Sequence, residues 1–202
     1  MRSTRPVLEH GRTLGIAGLS LVALATLGGC AAVVVGATVG AGTLVAMDRR
    51  SASVVQSDQT VEQKVGKAVS DRWPPASGVH VNVTSYSGKV LLTGEVPTAA
   101  IREQIEKIAS STQYVQGVTN EILVGPETLM TARTRDTYIT SKVKARLIEA
   151  KHLDAKDVVV VTERGVVYLM GLVSPSQGDA AAEVAASTSD VLRVVKLFEY
   201  RT

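Results

Sequence analysis

VNVTSYSGKVLLTGEV at residues 81–96 decides the fold, because VVVVTERGVVYLMGLV at residues 158–173 repeats it. Gly88 falls on Gly165 and Gly94 on Gly171. Each copy reads as a hairpin: a β-branched strand, a Ser-Gly or Arg-Gly turn, then a second strand. Val79, Val81 and Val83 alternate with His80, Asn82 and Thr84, which predicts a strand buried on one face. The run Val158 to Val161 is apolar throughout, so periodicity assigns it no face. The glycines serve the turns and close helix-on-sheet packing.

Outward from the hairpins the likeness continues. Upstream of each lies a helical stripe at i, i+4, i+8: Val61, Val65 and Val69, then Ile139, Val143 and Leu147. A helix follows each hairpin, over 97–111 and 174–189. Ile101, Ile105 and Ile108 mark its core side in the first copy. In the second, alanines and Val184 do, which demands close packing. A third strand ends each copy, with Val118, Asn120, Ile122 and Val124 on one face, then Val194, Lys196, Phe198 and Tyr200; copy two is one residue shorter before it. The expected fold class is α+β: two tandem modules, each α-β-β-α-β, with a three-stranded mixed sheet covered by two helices. The expected boundaries are 60–125 and 134–202. Trp73 precedes Pro74-Pro75 and is expected to end the first helix as a partly buried cap.

Residues 1–29 read as a signal peptide: basic Arg2, Arg5 and Arg12, an apolar run from Leu14 to Leu27, then Gly28 and Gly29. Leu27-Gly28-Gly29-Cys30 resembles the lipobox of bacterial lipoproteins. That resemblance implies cleavage before Cys30, with a diacylglyceryl group on its sulfur and an acyl chain on its new amine; two or more chains make anchoring stable. Residue 31 is Ala and not Asp, which by the same resemblance points to the outer membrane. As one helix the uncharged run from Thr13 to Met47 would be about 50 Å long, far more than the roughly 30 Å bilayer core. Residues 30–59 are therefore expected to hold the lipidated Cys30, an apolar Gly/Ala-rich tether to Met47 and a polar linker (48–59). Gly36 and Gly40 leave a short membrane helix as the alternative for 31–47.

Composition excludes several functions. Setting aside Arg2, Arg5, Arg12 and Glu9 from the 22 basic and 19 acidic side chains leaves a net charge of about +1, which gives no argument for nucleic-acid binding. Cys30 is the single cysteine, and His80 and His152 lack metal-ligand spacing. No catalytic motif is present, so neither an enzyme nor a cofactor is expected beyond the lipid on Cys30.

One helix face stands out. With Tyr138 at 0° and about 100° per residue, Ile139, Val143 and Leu147 point coreward. Tyr138, Ser141, Ala145 and Ile148 fall together on the other side, with Lys142, Lys144 and Arg146 around them. Residues 127–152 carry six basic and three acidic side chains. An apolar patch with a basic rim suits an anionic lipid surface, and a tyrosine suits the interface. A solvated face with Tyr138 resting on the neighbouring module is the plain alternative.

The pattern of Val81, Val83, Gly88, Val90, Leu92, Gly94, Val96, Val115, Val118, Asn120 and Ile122 resembles the BON domain of bacterial envelope and osmotic-stress proteins. The second copy matches at Gly165, Val167, Leu169, Gly171, Val173, Val191 and Val194, with Lys196 replacing the Asn. Signal, lipobox and two such modules together resemble the DolP/YraP-type dual-BON outer-membrane lipoproteins. The resemblance implies a periplasm-facing protein that binds anionic phospholipid such as phosphatidylglycerol through the first helix of the second module. It further implies a role in envelope integrity and at division sites. Those proteins carry Trp where this chain has Tyr138. The competing expectation is an adaptor for outer-membrane assembly or septal cell-wall machinery, using Phe198 and Tyr200.

Overall fold

The computed structural model describes residues 50–151 and 153–201. The signal, Cys30 and the segment 31–47 lie outside them. Helix α1 (Ala52–Arg72) leads into the hairpin β1 (His80–Tyr86) and β2 (Lys89–Val96), then α2 (Ala99–Ser110), β3 (Gly117–Asn120) and β4 (Leu123–Val124). The second module is α3 (Met130–Glu149), β5 (Val158–Glu163), β6 (Val166–Val173), α4 (Pro175–Ala186) and β7 (Arg193–Tyr200).

Helix α1 starts earlier than its apolar stripe. Ser51 caps it, accepting from the Val54 amide, and residues 52–59, expected as linker, form its first two turns. That stretch conceals itself because its one buried side chain is a carboxylate, Asp58. The helix ends where Pro74 forces Trp73 into extended backbone, and Trp73 packs on the first core as expected.

In both sheets the hairpin is antiparallel and the last strand joins parallel to the hairpin's second strand. The second sheet has the expected three strands, β5-β6-β7. The first has four, because its last strand is cut in two at Glu121-Ile122. Its register nevertheless continues across the gap, from Leu92↔Asn120 to Glu95↔Leu123. At the cut the Ile122 amide donates to the Asn120 side chain at 3.2 Å, a local bond that competes with the ladder. Lys196 stands at the matching place in β7, which runs unbroken, and pairs with Asp179 at 2.9 Å.

The helical stripes bury as the spacing predicts: Val61, Val65, Ile139, Val143 and Leu147 are at most 1 % exposed. Ala181 and Ala185 of α4 are fully buried, and a Cβ on Gly178 would meet Tyr200 at 3.0 Å and Phe198 at 3.1 Å. The alanine-rich helix therefore does lie close on its sheet.

The other sheet faces are not solvated. Tyr86 and Leu91 of the first sheet pack on Tyr168 and Met170 of the second, all at most 4 % exposed, with Val159 and Val161 alongside. The result is four layers: helices, sheet, sheet, helices. This explains why Val158 to Val161 shows no period. Val158 and Val160 fill the helix-side core while Val159 and Val161 fill the sheet-to-sheet core. Both helix-covered cores are complete within the described residues.

Polar contacts lock the two sheets. The Tyr86 hydroxyl accepts from the Leu172 amide at 3.1 Å, and the Tyr168 hydroxyl donates to Glu121 at 3.2 Å. Fully buried Glu95 accepts from the Thr128 amide at 3.3 Å and from its hydroxyl, and Arg164 lies 3.6 Å away. Asn82 donates to Glu163 at 3.0 Å. Burial raises the Glu163 carboxyl above its ordinary pKa; Glu95 and Asp136 add to this and the Asn82 bond opposes it. A raised carboxyl holds its proton more tightly folded than unfolded. Its stabilising contribution is therefore full below the ordinary value of 4.5 and is lost as pH rises through the folded value. Glu163→Gln, which still accepts from Asn82, is expected to melt higher than the parent at pH 7 and to show a flatter stability profile above pH 4.5. Identical melting curves across that range would rule this out.

Candidate functional site

Helix α3 presents its polar side outward from the second sheet. Tyr138 is 61 % exposed and Ile148 73 %, and Ser141, Lys144, Ala145 and Arg146 are also exposed. The face expected from the sequence is thus brought together on one side of one helix. The Ser141 hydroxyl donates back to the Thr137 carbonyl at 3.0 Å, so it offers little to a ligand. Met130, 70 % exposed, stands on the same side two turns before Tyr138, and Leu129 beside it is 75 % exposed. Their place was hidden in the sequence, because they fall between the expected module bounds, after 125 and before 134.

The basic rim divides in two. Lys144, exposed and without a partner among the described residues, lies beside Ile148, where a shallow groove continues over Ala155, Lys156 and Val158. Lys142 and Arg146 turn the other way and engage the loop at 187–192. Lys142 donates to the Ser189 hydroxyl and, at 3.3 Å, to the Ser189 carbonyl, and lies 3.4 Å from Asp190. Arg146 donates to Thr188 at 2.9 Å and to Ser187 at 3.1 Å. Arg135 joins them through Asp190 at 2.8 Å, and hydrogen bonds from Arg135 and Lys142 hold the Asp190 carboxyl below its ordinary pKa. The Lys142 ammonium also sits 5.1 Å over the Tyr138 ring. Two of the expected lipid-binding cations therefore hold a loop in place.

That loop ends in Leu192, 78 % exposed, beside a small cavity lined by Arg135, Asp136, Arg164, Gly165, Asp190 and Leu192, among others. The first module has the same cavity, lined by Ser57, Asp58, Ser87, Gly88, Tyr114 and Gln116, among others. The carboxylate and the glycine are common to both. Three neutral polar residues of the first copy, Ser57, Ser87 and Gln116, become Arg135, Arg164 and Leu192 in the second.

His80 faces the second module across a polar cleft with Arg133 and Glu163; burial and the Arg133 charge lower its pKa. Among the described residues no cluster of His, Cys, Asp or Glu could hold a metal, and no helix is long and apolar enough to cross a membrane.

The BON domain family model matches twice, at residues 57–126 and 135–202. The chain belongs to the BON-domain family. Its two copies of this domain are the two modules of the four-layer body. Among BON proteins it is 37 % identical over 175 residues to the outer membrane lipoprotein DolP of Haemophilus influenzae, covering 86 % of this chain and 90 % of that one. It is 35 % identical over 154 residues to the 21 kDa hemolysin of Actinobacillus pleuropneumoniae, covering 76 % and 79 %. It is 29 % identical over 140 residues to the osmotically-inducible protein Y of Escherichia coli, covering 68 % and 69 %. The chain is a dual-BON outer-membrane lipoprotein of the DolP type.

Proposed function

We propose that this BON protein is held in the outer membrane by lipid on Cys30, faces the periplasm, and binds anionic phospholipid through α3. It carries out no catalysis. A covalent anchor keeps a weak lipid-binding patch at high effective concentration beside the bilayer, so modest affinity suffices. Contact with anionic lipid would place the protein where such lipid gathers, and envelope integrity and division-site localisation follow as its roles. The observation that carries this reading is the joint exposure of Tyr138 and Ile148 along one side of α3, with Lys144, unpaired among the described residues, beside them. The apolar groups enter the acyl boundary and the cation meets phosphate.

The soluble chain 48–202, mixed with vesicles with and without phosphatidylglycerol, tests it. The parent is expected to co-sediment with the anionic vesicles only. Tyr138→Glu, which puts a charge where the ring would insert, is expected to weaken that binding roughly tenfold or more, and Ile148→Glu to weaken it as well. A parent that ignores anionic vesicles, or variants that bind as it does, would favour the adaptor role. For that role Tyr200, 49 % exposed at the end of β7, offers a contact point.

A further inference from the structure

Leu192 is the most exposed large apolar side chain among the described residues, and nothing in the fold of its module requires it. The first module does without it: the matching residue is Gln116, in the same cavity beside the same kind of turn. Both copies close the same hairpin with the same Asp and Gly. The internal repeat therefore separates what folding needs from what the second copy has added.

Around Leu192, Arg135 and Arg146 stand where the first copy has Ser57 and Ala68, while Lys142 is matched by Lys64. With Tyr138 at 0°, Lys142, Arg135 and Arg146 fall at about 40°, 60° and 80° on α3, all on the side away from Ile148. The loop 187–192 closes over that side. Its polar groups are fastened to the helix by the Lys142, Arg146 and Arg135 contacts, and Leu192 stands at its far margin. A row of cations thus lies between two apolar side chains, Tyr138 and Leu192. Arg135 and Lys142 share the carboxylate of Asp190, and Arg146 donates to the neutral Thr188 and Ser187 hydroxyls, so the strip keeps a positive excess. Arg164, at the same cavity, and Arg193, next in sequence, have side chains 49 % and 59 % exposed, but they pair with Glu95 at 3.6 Å and Glu121 at 3.7 Å and add nothing to that excess.

We propose that the loop 187–192 is a second membrane-contacting element, with Leu192 inserting into the acyl boundary of an anionic bilayer while the cation row between it and Tyr138 meets the phosphates. This rests on the lipid reading of α3 and widens it from one helix to a helix and a loop. The charge of the strip selects a bilayer rich in anionic headgroups. Fastening the loop to α3 presents both apolar anchors as one rigid body, so little ordering remains for binding to impose.

The test uses the soluble chain 48–202, whose cores are complete, and vesicles of phosphatidylglycerol mixed with phosphatidylethanolamine. Leu192→Gln, which installs the residue of the first copy, is expected to lower partitioning about tenfold with the melting temperature unchanged, as an exposed site allows. Gln116→Ala in the first copy is expected to change nothing. If Leu192→Gln binds as the parent does while Tyr138→Glu does not, the loop contact is overturned and the helix alone docks. If the parent itself fails to bind, the lipid reading falls and this one with it.

Discussion

Gly94→Ala and Gly171→Ala are each expected to prevent their module from forming its sheet. Gly94 sits in β2 with φ +118° and Gly171 in β6 with φ +151°, a region that side-chain-bearing residues rarely adopt. A Cβ on Gly94 would collide with the carbonyl oxygen of His80, and one on Gly171 with that of Asp157. Both obstacles are backbone at the start of the adjacent strand and cannot swing aside like a side-chain tip. Relief requires that strand to move away at the Val81↔Gly94 or Val158↔Gly171 pair, which breaks the ladder at its inner end. The loss is expected to exceed about 4 kcal/mol, a large share of the stability of a domain this size. Because each sheet covers the other's bare face, the untouched module should also lose stability. Amide spectra of Gly94→Ala are expected to lose dispersion for residues of both modules; a melting temperature within a few degrees of the parent would refute the collision.

Removing the helix carboxylates is the second large effect. Asp58, 3 % exposed, accepts from the Ser87 and Gly88 amides at 2.8 Å each and from the Ser85 hydroxyl at 2.7 Å, and pairs with Arg50 at 2.7 Å. Asp136, 6 % exposed, does the same for the second hairpin through the Arg164 and Gly165 amides, both at 2.8 Å. Each carboxylate thus fastens the first helix of its module to the turn of its hairpin. Both turns have two successive residues at positive φ, Ser87-Gly88 and Arg164-Gly165, and their inward amides have no ladder partner. Asp136→Ala is expected to cost about 2–3 kcal/mol, the loss of charge-assisted bonds to buried amides. Asp58→Ala removes the Arg50 ion pair and the acceptor of the Ser85 hydroxyl as well and is expected to cost about 3–5 kcal/mol. Urea unfolding of the two variants measures the order; equal losses would show that Arg50 adds nothing.

These two carboxylates mark where the sequence stopped being readable. Periodicity found the helix stripes because apolar burial repeats every turn. It passed over Asp58 and Asp136 because a buried carboxylate in a helix looks like any solvated one until the amides it accepts from are known. Their signal was present: both stand three residues ahead of the first stripe residue, Val61 and Ile139, in each copy. The stacking of the two sheets was equally out of reach. Alternation in β1 suggested an exposed side, and only the unbroken valines of β5 hinted that both faces were covered. The expected close packing at Gly94 and Gly171 proved to be strand against strand, whereas the helix-on-sheet approach occurs at Gly178. For the candidate site, the sequence placed Tyr138, Ala145 and Ile148 on one face from the 3.6-residue period alone. The partners of Lys142 and Arg146 lie more than forty residues away in a loop, where no local pattern could show that these cations were already engaged.

The Arg50 contact has a mechanical consequence. Arg50 is the first described residue, and its guanidinium grips Asp58 and lies 4.2 Å over the Tyr86 ring. Asp58 in turn grips the hairpin turn, and Tyr86 the second sheet through Leu172. Tension applied at Arg50 would therefore not begin by peeling α1 turn by turn. It would be shared at once among helix, hairpin and the far module, so that the first turn could not give way without the contacts of all three.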